Sequence, residues 1–302
     1  MKGWIIYRTP DNEVKPEIYE INRLIEEAAN HSIDMRVIAP EQFDLVVTRD
    51  DRKSVVVDNE VLQLPDFVLP RMGAGTNYFA LAVIRHLERL GVHTFNSSQS
   101  IDTVKDKLYT QQILAEHNIP VPKTMLIKYK SDVDLVERHL GFPVVVKTIS
   151  GAQGSGVFLA ETKSKFVDLL EMINAYKPRA TMILQKFIEQ SRGIDLRVFT
   201  VGGRAVAAMK RIAGDDSFKA NFSRGGKVEP YEITPEIEWL ATETSRVLDL
   251  DIAGIDLLFD GDHFKICEAN SSPGFEGIES CMDVNIPDEI YQFLRVRLGH
   301  FA

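Results

Sequence analysis

Cysteine is nearly absent from this chain: Cys267 and Cys281 are the only two in 302 residues. Two thiols cannot build the disulfide framework of a small secreted domain, and they make no zinc-ligand spacing. They suit a reducing compartment and read as core fillers. Apolar runs of the roughly 20 residues that a membrane helix needs are also missing. The opening Lys2-Gly3-Trp4-Ile5-Ile6-Tyr7 reads as a strand, not as an export signal with a small-residue cleavage site. A cytoplasmic protein with no membrane partner is therefore expected. Positive charge is in deficit, with 35 Lys and Arg against 44 Asp and Glu and a net charge of −9. That balance argues against direct nucleic-acid binding and is compatible with a basic partner. The common nucleotide loops are missing too. The glycine-rich run Gly151-Ala-Gln-Gly154-Ser-Gly156 lies between two strands, where a Walker loop or a dinucleotide-binding turn would lead into a helix.

With 44% hydrophobic and 26% charged residues, the chain can bury a large core distributed over two or three subdomains. Residues 1–95 alternate strand and helix, with strands at 3–8, Met35-Arg-Val-Ile-Ala and Phe67-Val-Leu and a helix over about 16–30, the rhythm of a small α/β domain. A short hairpin is expected at Ser54–Leu62, turning at Asp58-Asn59. Pro70-Arg71-Met72-Gly73-Ala74-Gly75 is a strand-to-helix turn, either an anion-binding helix start or simply a turn. Asn96 to Ser100 cap a helix that carries Asp106-Lys107-Leu108 and runs to Asn118, where Ile119-Pro120-Val121-Pro122 stops it.

The stretches that carry chemistry follow. Phe142-Pro-Val-Val-Val-Lys147 is a strand ending on a lysine. In the hairpin after it, Gly151, Gln153, Gly154, Ser155 and Gly156 could fold over phosphates, offering backbone N–H groups beside the point charge of Lys147. A glycine hairpin can equally be only a turn. Met182–Ile188 is an apolar strand turning polar at Lys186, a hinge whose backbone could hold an adenine edge. Asp195 could accept ribose hydroxyls, although by composition it reads as a turn residue. The segment from Arg211 through Lys219 and Asn221 to Arg224 is either a solvated surface or a set of cations for a transferring phosphoryl group.

The sharpest local pattern is Gly254-Ile-Asp256 followed by Glu268-Ala-Asn270-Ser-Ser-Pro-Gly274. Asp260-Gly-Asp262 is a turn, so Asp256 and Glu268 fall on neighbouring strands. An acid in such an apolar run costs several kcal/mol to desolvate unless paired or metal-bound. Two carboxylates plus the Asn270 amide oxygen match Mg²⁺, a hard cation. The alternative is two outward-facing acids and a turn asparagine.

Taken in order, Lys107, the Val-Val-Val-Lys147 strand with its hairpin, Gln185-Lys186-Phe187-Ile188, Asp195-Leu-Arg197, Lys219-Ala220-Asn221-Phe-Ser-Arg224-Gly-Gly and Asp256…Glu268-Ala-Asn270-Ser-Ser-Pro-Gly resemble the ATP-grasp superfamily. Within it the chain is similar over nearly its whole length to RimK-type α-L-glutamate ligases, a closer match that rests also on Pro70-Arg-Met-Gly-Ala and Ser272-Pro-Gly-Phe-Glu-Gly-Ile-Glu279. The resemblance implies an α/β and α+β ATP-grasp fold: a pre-ATP-grasp α/β domain over 1–95, a small lid over 96–188 with a helical lead-in at 96–120, and a C-terminal α+β domain over 189–302. It implies that Lys107 and Lys147 contact ATP phosphates, that Lys186 and Phe187 line adenine by backbone atoms, that Asp195 holds the ribose, and that Lys219, Ala220 and Asn221 face the nucleotide. Arg211, Asn221 and Arg224 are the implied catalytic residues. Asp256, Glu268 and Asn270 would bind one or two Mg²⁺, with Mn²⁺ as a substitute. Lys186 stands where the family usually has glutamate, and Lys219 where close relatives often have arginine. The implied activity is addition of glutamate to a carboxylate acceptor, such as a protein C-terminus or a small acid, by a dimer or tetramer. A kinase and a non-catalytic nucleotide-binding module are the contrasting classes.

Overall fold

The computed structural model describes residues 1–7, 18–51, 53–127, 133–148, 156–176, 181–214, 217–220 and 226–300. The first sheet is parallel, in the order β2-β1-β6-β7, from β1 (Lys2–Ile6), β2 (Asp34–Ile38), β6 (Phe67–Pro70) and β7 (His93–Thr94). Its crossovers use α1 (Ile18–Asn30) and α2 (Tyr78–Arg89). A small antiparallel sheet inserted between β2 and β6 joins β3 (Phe43–Asp44), β4 (Ser54–Val57) and β5 (Glu60–Gln63). The expected turn between the last two is present, with Asp58 and Asn59 both at positive φ, as a two-residue hairpin of this kind requires.

The second sheet, antiparallel and ordered β10-β9-β11-β8, contains β8 (Thr124–Leu126), β9 (Val144–Thr148), β10 (Val157–Ala160) and β11 (Met182–Lys186). One face packs on α5 (Val133–His139) and α6 (Lys163–Tyr176) through Val144, Val146, Leu184 and Phe166. By alternation, the other face presents Val145, Lys147, Ile183 and Gln185. The third sheet, ordered β14-β13-β12-β15-β16, is built from β12 (Ile194–Val201), β13 (Arg204–Ile212), β14 (Lys227–Pro230), β15 (Ile252–Asp260) and β16 (His263–Asn270), all antiparallel.

The third sheet has two unlike faces. Leu196, Val198, Ile255, Leu257 and Ile266 pack on α7 (Pro235–Val247). Phe199, Val201, Met209 and Ile252 share a core with Ile5, Leu24 and Phe67 of the first unit and with α8 (Glu276–Cys281) and α9 (Ile286–Arg297). Polar contacts reinforce that joint. Glu20 in α1 accepts from the Phe275 amide at 2.9 Å, Arg23 meets Glu279 at 3.0 Å, and the Tyr291 hydroxyl donates to the Leu24 carbonyl at 2.6 Å. Asn96 is fully buried and makes four bonds, its amide nitrogen donating to the Ile252 and Ser271 carbonyls and its oxygen accepting from the Asp251 and Ile252 amides.

One expected helix is two. Ser97 caps α3 (Ser98–Lys105), and Asp106 then leaves helical geometry at φ −86°, ψ 101° and caps α4 (Lys107–Glu116) by accepting from the Leu108 and Tyr109 amides. The chain turns there because one side chain satisfies two open N–H groups of the next helix. Val104, Leu114 and Ile119 of this lead-in pack with Leu196, Leu257 and Ile266, so it lies on the third sheet. Among the described residues no helix is long and apolar enough to cross a membrane. Asn96→Ala should leave several buried backbone groups unpaired and cost about 3 kcal/mol, seen as a lower urea midpoint with an unchanged slope.

Candidate active site

The shared face of the third sheet turns from apolar to charged along its strands. On β12, Phe199 and Val201 give way to Arg197 and Asp195; on β13, Met209 gives way to Arg211; on β15, Ile252 gives way to Gly254 and Asp256. Register sets opposite charges side by side, with Asp195 across from Arg211 and Arg197 across from Asp256. Both pairs are bidentate. Arg211 donates to Asp195 at 2.6 and 2.7 Å, and Arg197 donates to Asp256 at 2.7 and 2.8 Å. Arg211 also reaches Asp256 at 2.9 Å, closing a row Asp195–Arg211–Asp256–Arg197 in which both Arg211 and Asp256 are buried.

Burial works against the charge on Asp256, but Arg197 and Arg211 together outweigh it and hold the carboxyl down at about 2. Burial pushes Asp195 up, more than the pull of Arg211 offsets. Arg211 loses by burial and gains more from the two aspartates, so its guanidinium is held firmly charged. Asp195 is therefore a strand residue in a buried ion pair, not the turn residue that composition suggested. Arg211 is likewise no surface cation.

Glu268 lies directly across from Asp256, and Asn270 across from Gly254. The Asn270 amide nitrogen donates to the Gly254 carbonyl at 3.3 Å, which leaves its oxygen as the atom offered outward. Between these acids the pairing slips by one residue: Asp256 faces Glu268, but Leu257 faces Ile266, so Cys267 is the extra residue of a β-bulge. Gly254 is required where it stands, because a Cβ there would come within 2.7 Å of Pro273 and touch the Arg197 side chain.

Lysines close on this face from two sides. Lys107, the first residue of α4, pairs with Glu268 through its ammonium. Lys147 of the second sheet donates to the Gln185 side-chain oxygen at 2.7 Å and lies 3.6 Å from Cys267 Sγ. Burial pushes the Cys267 thiol up, against the pull of Lys147, and keeps it neutral. Cys267 is thus part of the site's wall, not simply a core filler. Gln111 Nε2 donates to the Cys267 carbonyl at 3.3 Å.

Farther along, the exposed Lys186 ends β11, its amide bonded to the Lys123 carbonyl at 2.9 Å. Phe187 packs edge-on to Phe218 with the Arg192 guanidinium 4.9 Å from its ring centroid. The Lys219 ammonium lies 5.5 Å from the Phe218 ring and 5.8 Å from Phe158, and Ala220 is buried. A cleft of about 440 Å³ opens between Val157, Phe158, Leu159, Arg192, Phe218 and Lys219. Gly156 enters β10 at φ 73°. Gly151, Gln153, Gly154, Ser155, Asn221 and Arg224 lie outside the described residues. Arg71 is no open anion site; it is buried, and it donates to the Pro273 carbonyl at 2.8 Å, bracing the loop after Asn270.

Asp256 and Glu268 with the Asn270 oxygen are an all-oxygen donor set on one face, the chemistry a small hard cation takes. Asp256 keeps acceptor capacity beyond its arginine bonds, since an ionised carboxylate offers about four lone-pair sites. Sequence reasoning quoted Arg197 and Gln185 as motif residues without giving them a role, and passed over Gln111. The signal for Arg197 was available: it shares a face with Asp195, two residues away.

Arg197→Met would leave Asp256 buried beside one arginine and should cost about 3 kcal/mol at pH 7. The carboxyl titrates near 3.9 when unfolded and about 2 when folded. The pair's contribution is therefore complete above about pH 4 and is lost as pH falls through about 2. Denaturant melts of both proteins from pH 7 to pH 2.5 should show the gap narrowing as pH falls, because the variant's Asp256 takes up its proton before the wild type's.

Two family models match the chain, a RimK PreATP-grasp domain at residues 13–101 and a RimK-like ATP-grasp domain at residues 104–294. A probable alpha-L-glutamate ligase of Legionella pneumophila (strain Corby) is 36% identical over 281 residues, 92% of either chain. One from Rhodopirellula baltica is 34% identical over 94% of this chain and 69% of its own. Among solved structures, the ATP-grasp ligase PsnB complexed with a phosphomimetic variant of its minimal precursor, Mg and ADP superposes with a TM-score of 0.74 at 18% identity, covering 98% of each chain. D-alanine–D-alanine ligase from Bacillus anthracis complexed with ATP gives 0.68 at 19% identity over 99% of each. Two matched models end to end, relatives above one-third identity and a charged face between two antiparallel sheets lead to one conclusion: the chain belongs to the RimK-like ATP-grasp family and is an ATP-dependent, amide-forming ligase.

Proposed function

We propose that this ligase adds glutamate to an acceptor carboxylate, with a protein C-terminus as the favoured acceptor, and that it works in the cytoplasm as a dimer or tetramer. The observation that carries the reading is the facing pair Asp256 and Glu268, with Asn270 on the same face and Lys107, Lys147 and Arg211 around them. The glutamate in the relatives' names supports the choice of amino acid.

An acceptor carboxylate and the γ-phosphate of ATP repel each other, so fixed positive charge must be in place before they meet. A divalent ion, Mg²⁺ with Mn²⁺ as a substitute, would be held by Asp256, Glu268 and Asn270 and would neutralise phosphate oxygens as a Lewis acid. In this reading Lys107 and Lys147 bring ammonium groups to the nucleotide phosphates, and Arg211 steadies the phosphoryl group in transfer. Lys186 and Phe187 offer backbone atoms to adenine, Asp195 accepts from the ribose, and Lys219, Ala220 and Asn221 face the nucleotide. Gly151, Gln153, Gly154, Ser155 and Gly156 cover the phosphates. Arg224 binds the acyl phosphate or the acceptor carboxylate. The acceptor oxygen takes the γ-phosphoryl group and ADP leaves. The amine nitrogen then attacks the acyl carbon, phosphate departs, and the nitrogen gives up a proton as the amide forms. Covering the acyl phosphate matters because water would otherwise hydrolyse it.

Purified protein with Mg·ATP should release ADP in proportion to added glutamate, and mass spectrometry should find whole glutamyl increments on the acceptor. Glu268→Gln should lower that release by at least about a hundredfold while leaving the melting temperature nearly unchanged; chelation with EDTA should stop turnover, and Mg²⁺ should restore it. ADP release that rises with other amino acids but not with glutamate would overturn the choice of glutamate. Glutamylation of small acids but not of C-terminal peptides would overturn the acceptor.

A further inference from the structure

Lys147 and Gln185 are both nearly inaccessible, at 9% and 3% exposure. They lie on adjacent strands of the second sheet, on the face turned toward Cys267. Such a buried ammonium needs an anchor, and among the described residues it has a neutral amide oxygen at 2.7 Å and, more weakly, the Cys267 sulfur at 3.6 Å. Nothing in the local pattern of β11 demands glutamine, since its neighbours in the strand are Met182, Ile183 and Leu184.

The amide can sit only one way round. The Thr124 hydroxyl donates to the Pro122 carbonyl at 2.9 Å, so toward Gln185 it presents an acceptor, and Gln185 Nε2 donates to it at 3.1 Å. Gln111 uses its own Nε2 on the Cys267 carbonyl, which turns its oxygen toward Gln185 Nε2, at 3.5 Å. Two acceptors on one side fix the NH₂ group there and leave the carbonyl oxygen facing Lys147. A carboxylate at 185 would have no donor for either neighbour and would neutralise the lysine. An apolar side chain would leave the ammonium, among the described residues, only its weak contact with Cys267 Sγ.

We infer that Gln185 is a positioning residue. It anchors Lys147 through a neutral oxygen, so that the ammonium is held in one orientation beside Cys267 with its whole charge available to a nucleotide phosphate. The inference rests on the proposed role of Lys147 at those phosphates. Its contribution is electrostatic and directional, so it should appear in the binding of phosphate-bearing ligands and be absent for a ligand that has none.

The test is calorimetric binding of Mg·ADP and of adenosine to the wild-type protein and to Lys147→Met, Gln185→Glu, Gln185→Met and the double variant Lys147→Met with Gln185→Glu, each checked for folding by its thermal melt. Lys147→Met and Gln185→Glu should each weaken Mg·ADP about tenfold and leave adenosine unchanged. The double variant should lose no more than Lys147→Met alone, because both remove one interaction. If Gln185→Glu fails to fold, Gln185→Met carries the test, with a loss of about threefold for Mg·ADP only. Unchanged Mg·ADP affinity in Lys147→Met would overturn the role of the lysine and the inference with it. A loss in Lys147→Met with none in the Gln185 variants would overturn the inference alone, as would equal losses of adenosine and Mg·ADP in the Gln185 variants, the mark of a merely structural role.

Discussion

The row Asp195–Arg211–Asp256–Arg197 is the constraint to which the rest of the site answers. Four charge-bearing side chains lie on the sheet face that also covers the main core. They are tolerable there only because each carboxylate meets a guanidinium in forked geometry. The row depends on strand register, since a one-residue slip of β12 against β15 would place Leu196 opposite Asp256 and bury a bare carboxylate. It depends also on Gly254, which leaves room for the Arg197 side chain to pass. The bond from Arg71 to the Pro273 carbonyl then braces the loop against that glycine. Charge pairing, register and loop placement form one structure.

The same face explains why the first and third units are hard to separate. Phe199, Phe275 and Tyr291 belong to one core with Ile5 and Phe67, and the charged row continues from its edge. Stability and site geometry are thereby coupled: a change that loosens α1 from α9 also loosens the apolar floor beneath the arginines. The second sheet, through Lys147 and Gln185, and α4, through Gln111, meet the third sheet at Cys267.

Much of this was legible in the residues. Alternation with period two revealed the strands, and the turns expected at Asp58-Asn59 and Asp260-Gly-Asp262 joined them in pairs, the second tightened in the structure to Gly261-Asp262. The second turn put Asp256 and Glu268 on neighbouring strands; counting back from it sets Cys267 opposite Asp256, and only the bulge brings Glu268 there. Other features depend on distant partners and leave little local mark. The break at Asp106 lies inside an unbroken helical pattern, and only its side-chain bonds to Leu108 and Tyr109 show that the chain has turned. Arg197 looked like the tail of a motif until register placed it against Asp256. Gln185 is an unremarkable polar residue in an apolar strand until Thr124 and Gln111 are brought beside it.

The bulge at Cys267 sets a rule of counting. Phe264 and Ile266 face α7, and with strict alternation Glu268 and Asn270 would face it as well. The extra residue reverses the parity, so that Glu268 and Asn270 emerge on the charged side while Ala269 returns to the core. A strand of this kind can accept many exchanges of one side chain for another. It cannot accept a loss or gain of one residue between Ile266 and Glu268, because that would turn the acidic and amide oxygens inward and the alanine out. For this segment, length carries more information than composition.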